Sequence, residues 1–336
     1  MTAKYGWLGE RMGLVFRIAV VCAAVLVAAC ADESAYPSRP VRLIVPFPAA
    51  GSSDLIARTV SERASRALGQ QIVIDNRPGA GGNIGTEAAA RSAPDGYTLI
   101  ECTIGTCAIN LSIYRNLGYD LERDFRPVVL LGSITNVLTV HPSVPARSVA
   151  ELVSLAKKSP GKITFGSSGY GSSPHLSGEL LGLMAGIDIL HVPYKGSAPV
   201  ITDLRGGQID MFFDNTPSIL PHVKAGALRA LAVTGPKRLG SLPEIPTMEE
   251  AGFLGFVIAP WFGILAPRDT SQAYVEKLNR AYNEALADAE IVRRLAEMEV
   301  LPGGGSPESF GAHIQSEIRR WAEVVKARGI QAQEVQ

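Results

Sequence analysis

Apolar and polar positions along the chain change period from segment to segment. Val41, Leu43 and Val45 recur at every second position, as in a strand; Leu55, Ile56, Val60, Ala64, Ala67 and Leu68 recur at three and four, as on one face of a helix. Between them, Pro46 and Pro48 cannot donate to a ladder. Ala49-Ala50-Gly51-Ser52 is small enough for close backbone approach, so the strand ends in an open turn with Ser52 or Ser53 as N-cap. Strand, small-residue turn and helix N-terminus bring free N–H groups and the positive end of a dipole to one point. That is either an anion site or a plain βα turn.

The same alternation continues. Strands are expected over Gln71 to Asn76, Tyr97 to Cys102, and Val128 to Val140 as one run; Gly79 to Gly85 leads into an alanine-rich helix ending at Arg91. Ser148-Val149-Ala150-Glu151 is a capping box opening a helix that stops at Pro160. A second series repeats the first: strand Ile163 to Phe165, a glycine-serine turn from Gly166 to Ser173, and a helix opened by Pro174. Ile187 to Tyr194, Ile209 to Phe213 and Leu228 to Val233 predict further strands, with helices around Pro199 to Leu204 and Ser218 to Lys224. Phe256 to Leu265 reads as a return crossing, and helices over Ser271 to Leu286 and Pro307 to Lys326 close the chain. This is the pattern of a parallel α/β sheet. Two series with crossings near Val140 and Ala259 predict two lobes with a cleft between them, at the carboxyl ends of the strands. The first lobe is expected over residues 36–139 plus 260–336 and the second over residues 140–259.

The start of the chain reads as an address. Lys4, Arg11 and Arg17 precede the apolar run Ile18 to Ala29, too short for a bilayer span but suited to a signal-peptide core, so residues 1–29 are expected to be removed on export to the periplasm. Val27-Ala28-Ala29-Cys30 resembles a lipobox that would make Cys30 a lipidated first residue; Ala29-Cys30-Ala31 suits an ordinary signal protease equally. The mature chain, near −2 in net charge, has no basic run interleaved with aromatics, which gives no support to nucleic acid as a partner. Cys102 and Cys107 either form a disulfide across Cys-Thr-Ile-Gly-Thr-Cys or stay as two buried thiols.

Several motifs in order carry a resemblance. Pro46-Phe47-Pro48-Ala49-Ala50-Gly51-Ser52-Ser53-Asp54, Asn76 to Gly85, Gly166-Ser167-Ser168-Gly169-Tyr170-Gly171-Ser172, Val192-Pro193-Tyr194-Lys195-Gly196 and Leu242 to Thr247 resemble the Bug family. These are TctC-like extracytoplasmic solute-binding proteins of tripartite tricarboxylate transporters. The resemblance implies a two-lobed periplasmic binding protein fold, the Venus flytrap, holding a carboxylate partly through water and passing it to membrane permease subunits. It assigns the ligand to Phe47, Ala49, Gly51 and Ser52 on the first turn, and to Ser167, Ser168, Gly171 and Ser172 on the second. Thr106, Tyr194 and Asp214 complete the candidate set. Ala50 stands where the family usually has a glycine, and Ile104 where it often has an asparagine. The protein is expected to be a monomer without cofactor, metal or catalytic activity. A sensor presenting its ligand to a receptor kinase is the alternative.

Other chemistries fit less well. Gly79-x-Gly81-x-x-x-Gly85 lacks the third glycine of a dinucleotide loop at its proper spacing, so helix packing and a tight turn account for it better. Ser167, Ser168, His175 and Asp214 are the residue types of a hydrolase triad, but no G-x-S-x-G elbow exists. His175 and Glu179 at i, i+4 offer two metal ligands without a third. With Gly51 as N-cap, Asp54 is placed to accept the N-cap N–H. Asp214 either faces the cleft or caps the helix near Thr216, and Tyr194 either offers its ring and hydroxyl or packs.

Overall fold

The computed structural model describes residues 36–330, so the export signal over residues 1–29 and the lipidation candidate Cys30 lie outside the described residues. The compact body starting at Arg39 contains two sheets. Six strands form the first: β1 (Val41–Val45), β2 (Ile72–Asn76), β3 (Thr98–Thr103), β4 (Phe125–Ser133) and, from late in the chain, β10 (Trp261–Pro267) and β11 (Leu301–Gly304). Five form the second: β5 (Asn136–Val140), β6 (Thr164–Ser167), β7 (Leu190–Pro193), β8 (Met211–Asn215) and β9 (Arg229–Val233). Their orders are β11-β4-β10-β3-β1-β2 and β7-β6-β8-β5-β9.

The sheets are mixed, which corrects the all-parallel expectation. β1 pairs in parallel with β2 and β3, and β6 with β7 and β8, while β10 runs antiparallel to β3 and β4 and β5 antiparallel to β8 and β9. Each passage between the sheets leaves a strand running against its neighbours. The single strand expected over Val128 to Val140 is two, β4 and β5, which break at Ile134-Thr135 and belong to different sheets. The lobe border expected at residues 139/140 therefore falls inside β5. Val137, Leu138 and Val140 are as buried as Val128 and Val129, and the change of sheet is marked only by Gly132-Ser133 and Thr135-Asn136 between the two apolar runs.

β1 buries Ile44 as well as Leu43 and Val45, because helices cover both faces of a parallel sheet. The helix Ser52–Leu68 packs through Ile56, Val60, Ala64 and Leu68 and ends at Gly69 with φ 76°, a left-handed C-cap. Each of its larger apolar side chains contributes on the order of 1.5–3 kcal/mol by leaving water. Two late elements lie outside the expected set: the helix Ala289–Glu297, which Asp288 caps and Ile291 and Leu295 anchor, and β11, whose Leu-Pro-Gly-Gly has no strand pattern. The last helix, Pro307–Arg328, is tied to β10 by the buried Glu317, which accepts from the indole N–H of both Trp261 and Trp321 at 3.2 Å.

The two chain passages between the sheets lie side by side. Ile134 N–H donates to the Pro260 carbonyl at 2.8 Å, Asn136 N–H to Thr234 Oγ1 at 3.0 Å, and Thr234 Oγ1 to the Ile258 carbonyl at 2.6 Å. Cys102 and Cys107 form a disulfide with Cα atoms 5.9 Å apart, closing the turn after β3 onto the π-helical turn Gly105–Ile109.

Candidate functional site

Four helices begin around one cavity. β1 leads into Ser52–Leu68, β6 into Ser173–Ala185, β7 into Ser197–Arg205 and β8 into Thr216–Lys224; Gly51 to Ser53, Ser172 to Pro174, Gly196 to Ala198, and Asn215 all line it. The N-caps Gly51, Gly196 and Asn215 make no side-chain cap bond, so the first-turn N–H groups of the first two of these helices lack the usual side-chain acceptor. Asn215 opens the poorest donor set, since Thr216 N–H is taken by the Thr135 carbonyl and Pro217 has no N–H. Four positive dipole ends thus converge on a space whose lining contains no charged side chain. The cavity has a volume of about 40 Å³, space for about three waters. A wider outer cleft of about 420 Å³ shares Phe47, Pro48 and Ser168 with it and carries the exposed Lys195 on its edge.

The expected residues fall into two groups. Phe47, Ala49, Gly51, Ser52, Ser168 and Ser172 line the inner cavity, and Tyr194 lines the outer cleft with its hydroxyl donating to Asp203 Oδ2 at 2.7 Å. Thr106, Ser167, Gly171 and Asp214 do not line the inner cavity. Thr106 Oγ1 turns inward and accepts from Thr103 N–H at 3.1 Å; its neighbours Thr103, Ile104 and Gly105 form the cavity floor instead. Ser167 is fully buried against His191, with Oγ 2.6 Å from Nε2. Gly171, at φ 78°, lets Asn110 Oδ1 approach where a Cβ would clash. Asp214 stands behind the wall, accepting from Ser197 Oγ at 2.7 Å, so it neither faces the cleft directly nor caps the next helix, whose N-cap is Asn215.

Ser53, Ser173, Ser197 and Asn215 also line the cavity, beyond the set expected from the sequence. A signal existed for the last two: Gly196-Ser197-Ala198-Pro199 and Asn215-Thr216-Pro217 place a cap residue before a first-turn proline, as Ser172-Ser173-Pro174 does.

The hydroxyls divide by commitment. Ser52 Oγ lies 2.5 Å from Ser218 Oγ across the cleft, and Ser172 Oγ donates to the Gly169 carbonyl at 2.6 Å. Ser168 makes no hydrogen bond to another described residue, which leaves its hydroxyl for a ligand. Asp54 is the structural cap expected of it, accepting Ala50 N–H at 3.0 Å rather than Gly51 N–H. Burial pushes its carboxyl up, but Arg58, the Ala50 N–H and Asn76 outweigh that and hold it below the ordinary range.

Beneath the second turn, His191 joins His175 and Glu179, with ligand atoms within 4.8 Å of one another. The donor set does not suit a metal. Gly171 N–H donates to His175 Nδ1 at 3.3 Å, so the neutral ring carries its proton on Nε2, toward Glu179 Oε1 at 3.7 Å, and His191 Nε2 is engaged by Ser167. Burial lowers His175 to about 3, with His191 adding to it, and lowers His191 to about 4; Tyr170 meets both rings edge-on. The cluster braces the turn. It also separates the hydrolase candidates, since His175 bonds the Gly171 backbone and Asp214 bonds Ser197.

Two α/β sheets whose strand ends and helix N-termini enclose one small cavity, joined by two adjacent passages, define a two-lobed periplasmic binding protein. The profile of the tripartite tricarboxylate transporter family receptor matches residues 56–330. The chain belongs to that family, TctC, which bears out the Bug-family resemblance. It is similar to R. palustris Rpa4515 solved with adipate, at 42% identity and a TM-score of 0.86 over 89% of this chain and 100% of that one. It is similar to the periplasmic binding protein BugD at 35% identity and a TM-score of 0.85, over 89% and 100% of the two chains. MatC (Rpa3494) from Rhodopseudomonas palustris, solved with bound malate, shares 32% identity at a TM-score of 0.83, over 86% and 100%.

Proposed function

We propose that this protein captures a small organic dicarboxylate or tricarboxylate in the periplasm and delivers it to the membrane permease subunits of a tripartite tricarboxylate transporter. The observation that carries this reading is the convergence of four helix N-termini on a cavity without a charged wall. Each terminus is worth about 0.3–1 kcal/mol when exposed and up to ~2 when partly buried, so several together stabilise an anion that no lysine or arginine touches. Adipate and malate in Rpa4515 and MatC are carboxylates of the size in question. The protein works as a non-catalytic monomer. Its lobes take residues 39–133 with 261–330, and residues 136–258, in line with the sheets. Cys30, if lipidated, would keep the binder at the membrane beside its permease.

Native mass spectrometry of the purified protein, followed by calorimetric titration with malate, adipate, succinate and citrate, tests the reading. A retained carboxylate, or saturable binding of at least one of the four, is the expected result. Binding of none of them, with a cationic or sugar ligand retained instead, would overturn it.

A further inference from the structure

The second-lobe wall of the inner cavity ends in Ser197, the first residue of its helix, immediately after Gly196 at φ 111°. Its hydroxyl proton is committed. Ser197 Oγ donates to Asp214 Oδ1 at 2.7 Å, which leaves the oxygen lone pairs of Ser197 as what that corner of the cavity presents. Asp214 itself is fully buried at the end of β8, and its second oxygen, Oδ2, has no hydrogen-bond partner. Among the described residues no cation offsets it. The elements packed on β8 carry His175 and Glu179 (helix Ser173–Ala185), Asp203 and Arg205 (helix Ser197–Arg205), and His222 and Lys224 (helix Thr216–Lys224); β5 and β6 carry no titratable group. His175 and Glu179 face each other, Asp203 takes the Tyr194 hydroxyl, Arg205 acts on His222, and Lys224 is exposed. A buried carboxyl without a counter-charge is held by hydrogen bonds alone, with the serine in front of it on one side and the Asn215 backbone on the other.

We propose that Asp214, a positioning residue acting through the Ser197 hydroxyl, sets the hydrogen-bond polarity of the second-lobe wall and so selects carboxylates that carry a neighbouring hydroxyl. With Asp214 ionised, Ser197 can only accept from the cavity. A ligand hydroxyl satisfies it, whereas a second carboxylate oxygen is repelled by it. With Asp214 protonated, the carboxyl donates to Ser197 Oγ; the serine proton then turns into the cavity and meets a carboxylate oxygen as well as it meets a hydroxyl. Burial pushes Asp214 up to about 7, against the opposing hydrogen bonds from Ser197 and the Asn215 backbone, which places both states within the working range. This inference rests on the carboxylate reading of the site.

The test compares malate with succinate, which differ by one hydroxyl, about one pH unit below and one above neutrality. For the wild type, malate is expected to bind about tenfold more tightly than succinate at the higher pH, with the ratio shrinking severalfold at the lower. Asp214→Asn removes the titrating group behind Ser197, so its ratio should not change with pH. Ser197→Ala should flatten the ratio too, and it decides the matter alone if the buried Asp214→Asn variant does not fold. A ratio independent of pH in the wild type, or one that keeps its pH dependence in both variants, would overturn the proposal. The carboxylate reading is checked apart from this. Carbon-13 titration of the ligand-free protein, with the Asp214 signal assigned by its loss in Asp214→Asn, should give a midpoint near 7 that moves in Ser197→Ala. Failure of every di- and tricarboxylate to bind, with that titration as expected, would sink the ligand reading and leave the Asp214–Ser197 switch standing. An Asp214 midpoint around the ordinary 3.9 would sink the switch whatever binds.

Discussion

Gly81 lies directly against the carbonyl of Tyr170, so that a Cβ at residue 81 would overlap that oxygen, to which the Tyr114 hydroxyl also donates at 3.1 Å. Gly81 sits in the turn after β2 and Tyr170 in the turn after β6, so this contact belongs to the meeting of the two lobes. Gly81→Ala is expected to hold the lobes apart. Its φ of 63° adds about 1–2 kcal/mol of strain for any L side chain. Small-angle scattering should show the wild type compacting at saturating ligand and the variant remaining expanded, with affinity reduced at least tenfold. Equal compaction of both would show that Gly81 serves the local turn alone.

Ser168→Ala is expected to weaken carboxylate binding by roughly 1–3 kcal/mol with little change in melting temperature, because its hydroxyl is uncommitted and lines both cavities. Affinity of the wild type should also change little between low and moderate salt, since dipoles at contact distance are screened less than exposed ion pairs. Calorimetry across ionic strength reads both. A tenfold loss of affinity with salt would mean that Lys195, or another cation, carries the ligand.

Ala50 has φ 64°, a conformation that costs an L residue about 1–2 kcal/mol and glycine almost nothing. After the extra chain entropy that glycine loses on folding, Ala50→Gly is expected to stabilise the fold by up to ~1 kcal/mol, about 2 °C in melting temperature. Calorimetric melting of the pair decides it, and an unchanged or lower midpoint would count against the strain.

Glu101 in β3 is fully buried and neither carboxylate oxygen has a hydrogen-bond partner. Burial raises its pKa well above 4.5, with Ser53 opposing and Asp54 adding to it. The folded state therefore keeps a proton that the unfolded chain releases, and stability falls as pH rises from about 4.5 toward the folded value. Glu101→Gln is free of this loss. Its melting temperature should match the wild type near pH 4.5 and exceed it increasingly toward alkaline pH; a difference that does not grow with pH would show that Glu101 is ionised in the folded protein.

The βα turns were legible because proline, glycine and serine before a three-four apolar pattern announce a helix N-terminus wherever the chain goes next. The two turns at Gly51 and Ser172 carry this signature, and the same local chemistry marks Gly196 and Asn215, which lie outside the expected set. What was not legible depends on distant partners. Gly81 shows in sequence only that something comes close, and nothing local names Tyr170 as that something. Thr106 and Ser167 have the residue type of a ligand contact, yet Thr103 and His191 claim their hydroxyls. The change of sheet at Ile134-Thr135 leaves only a weak trace, Gly132-Ser133 and Thr135-Asn136, because apolar strands that are largely buried flank it on both sides.

The side-by-side passages through Ile134 and Pro260 limit how this protein can move. Ile134 and Pro260 bond to each other at the border, so any change in the angle between the lobes has to bend both passages together. In the binding role proposed above, an occupied and an empty molecule would differ in the spacing of two rims. Any partner that touches both rims at once can tell full from empty without reaching the ligand, and one binding surface on that partner serves for every cargo the cavity accepts.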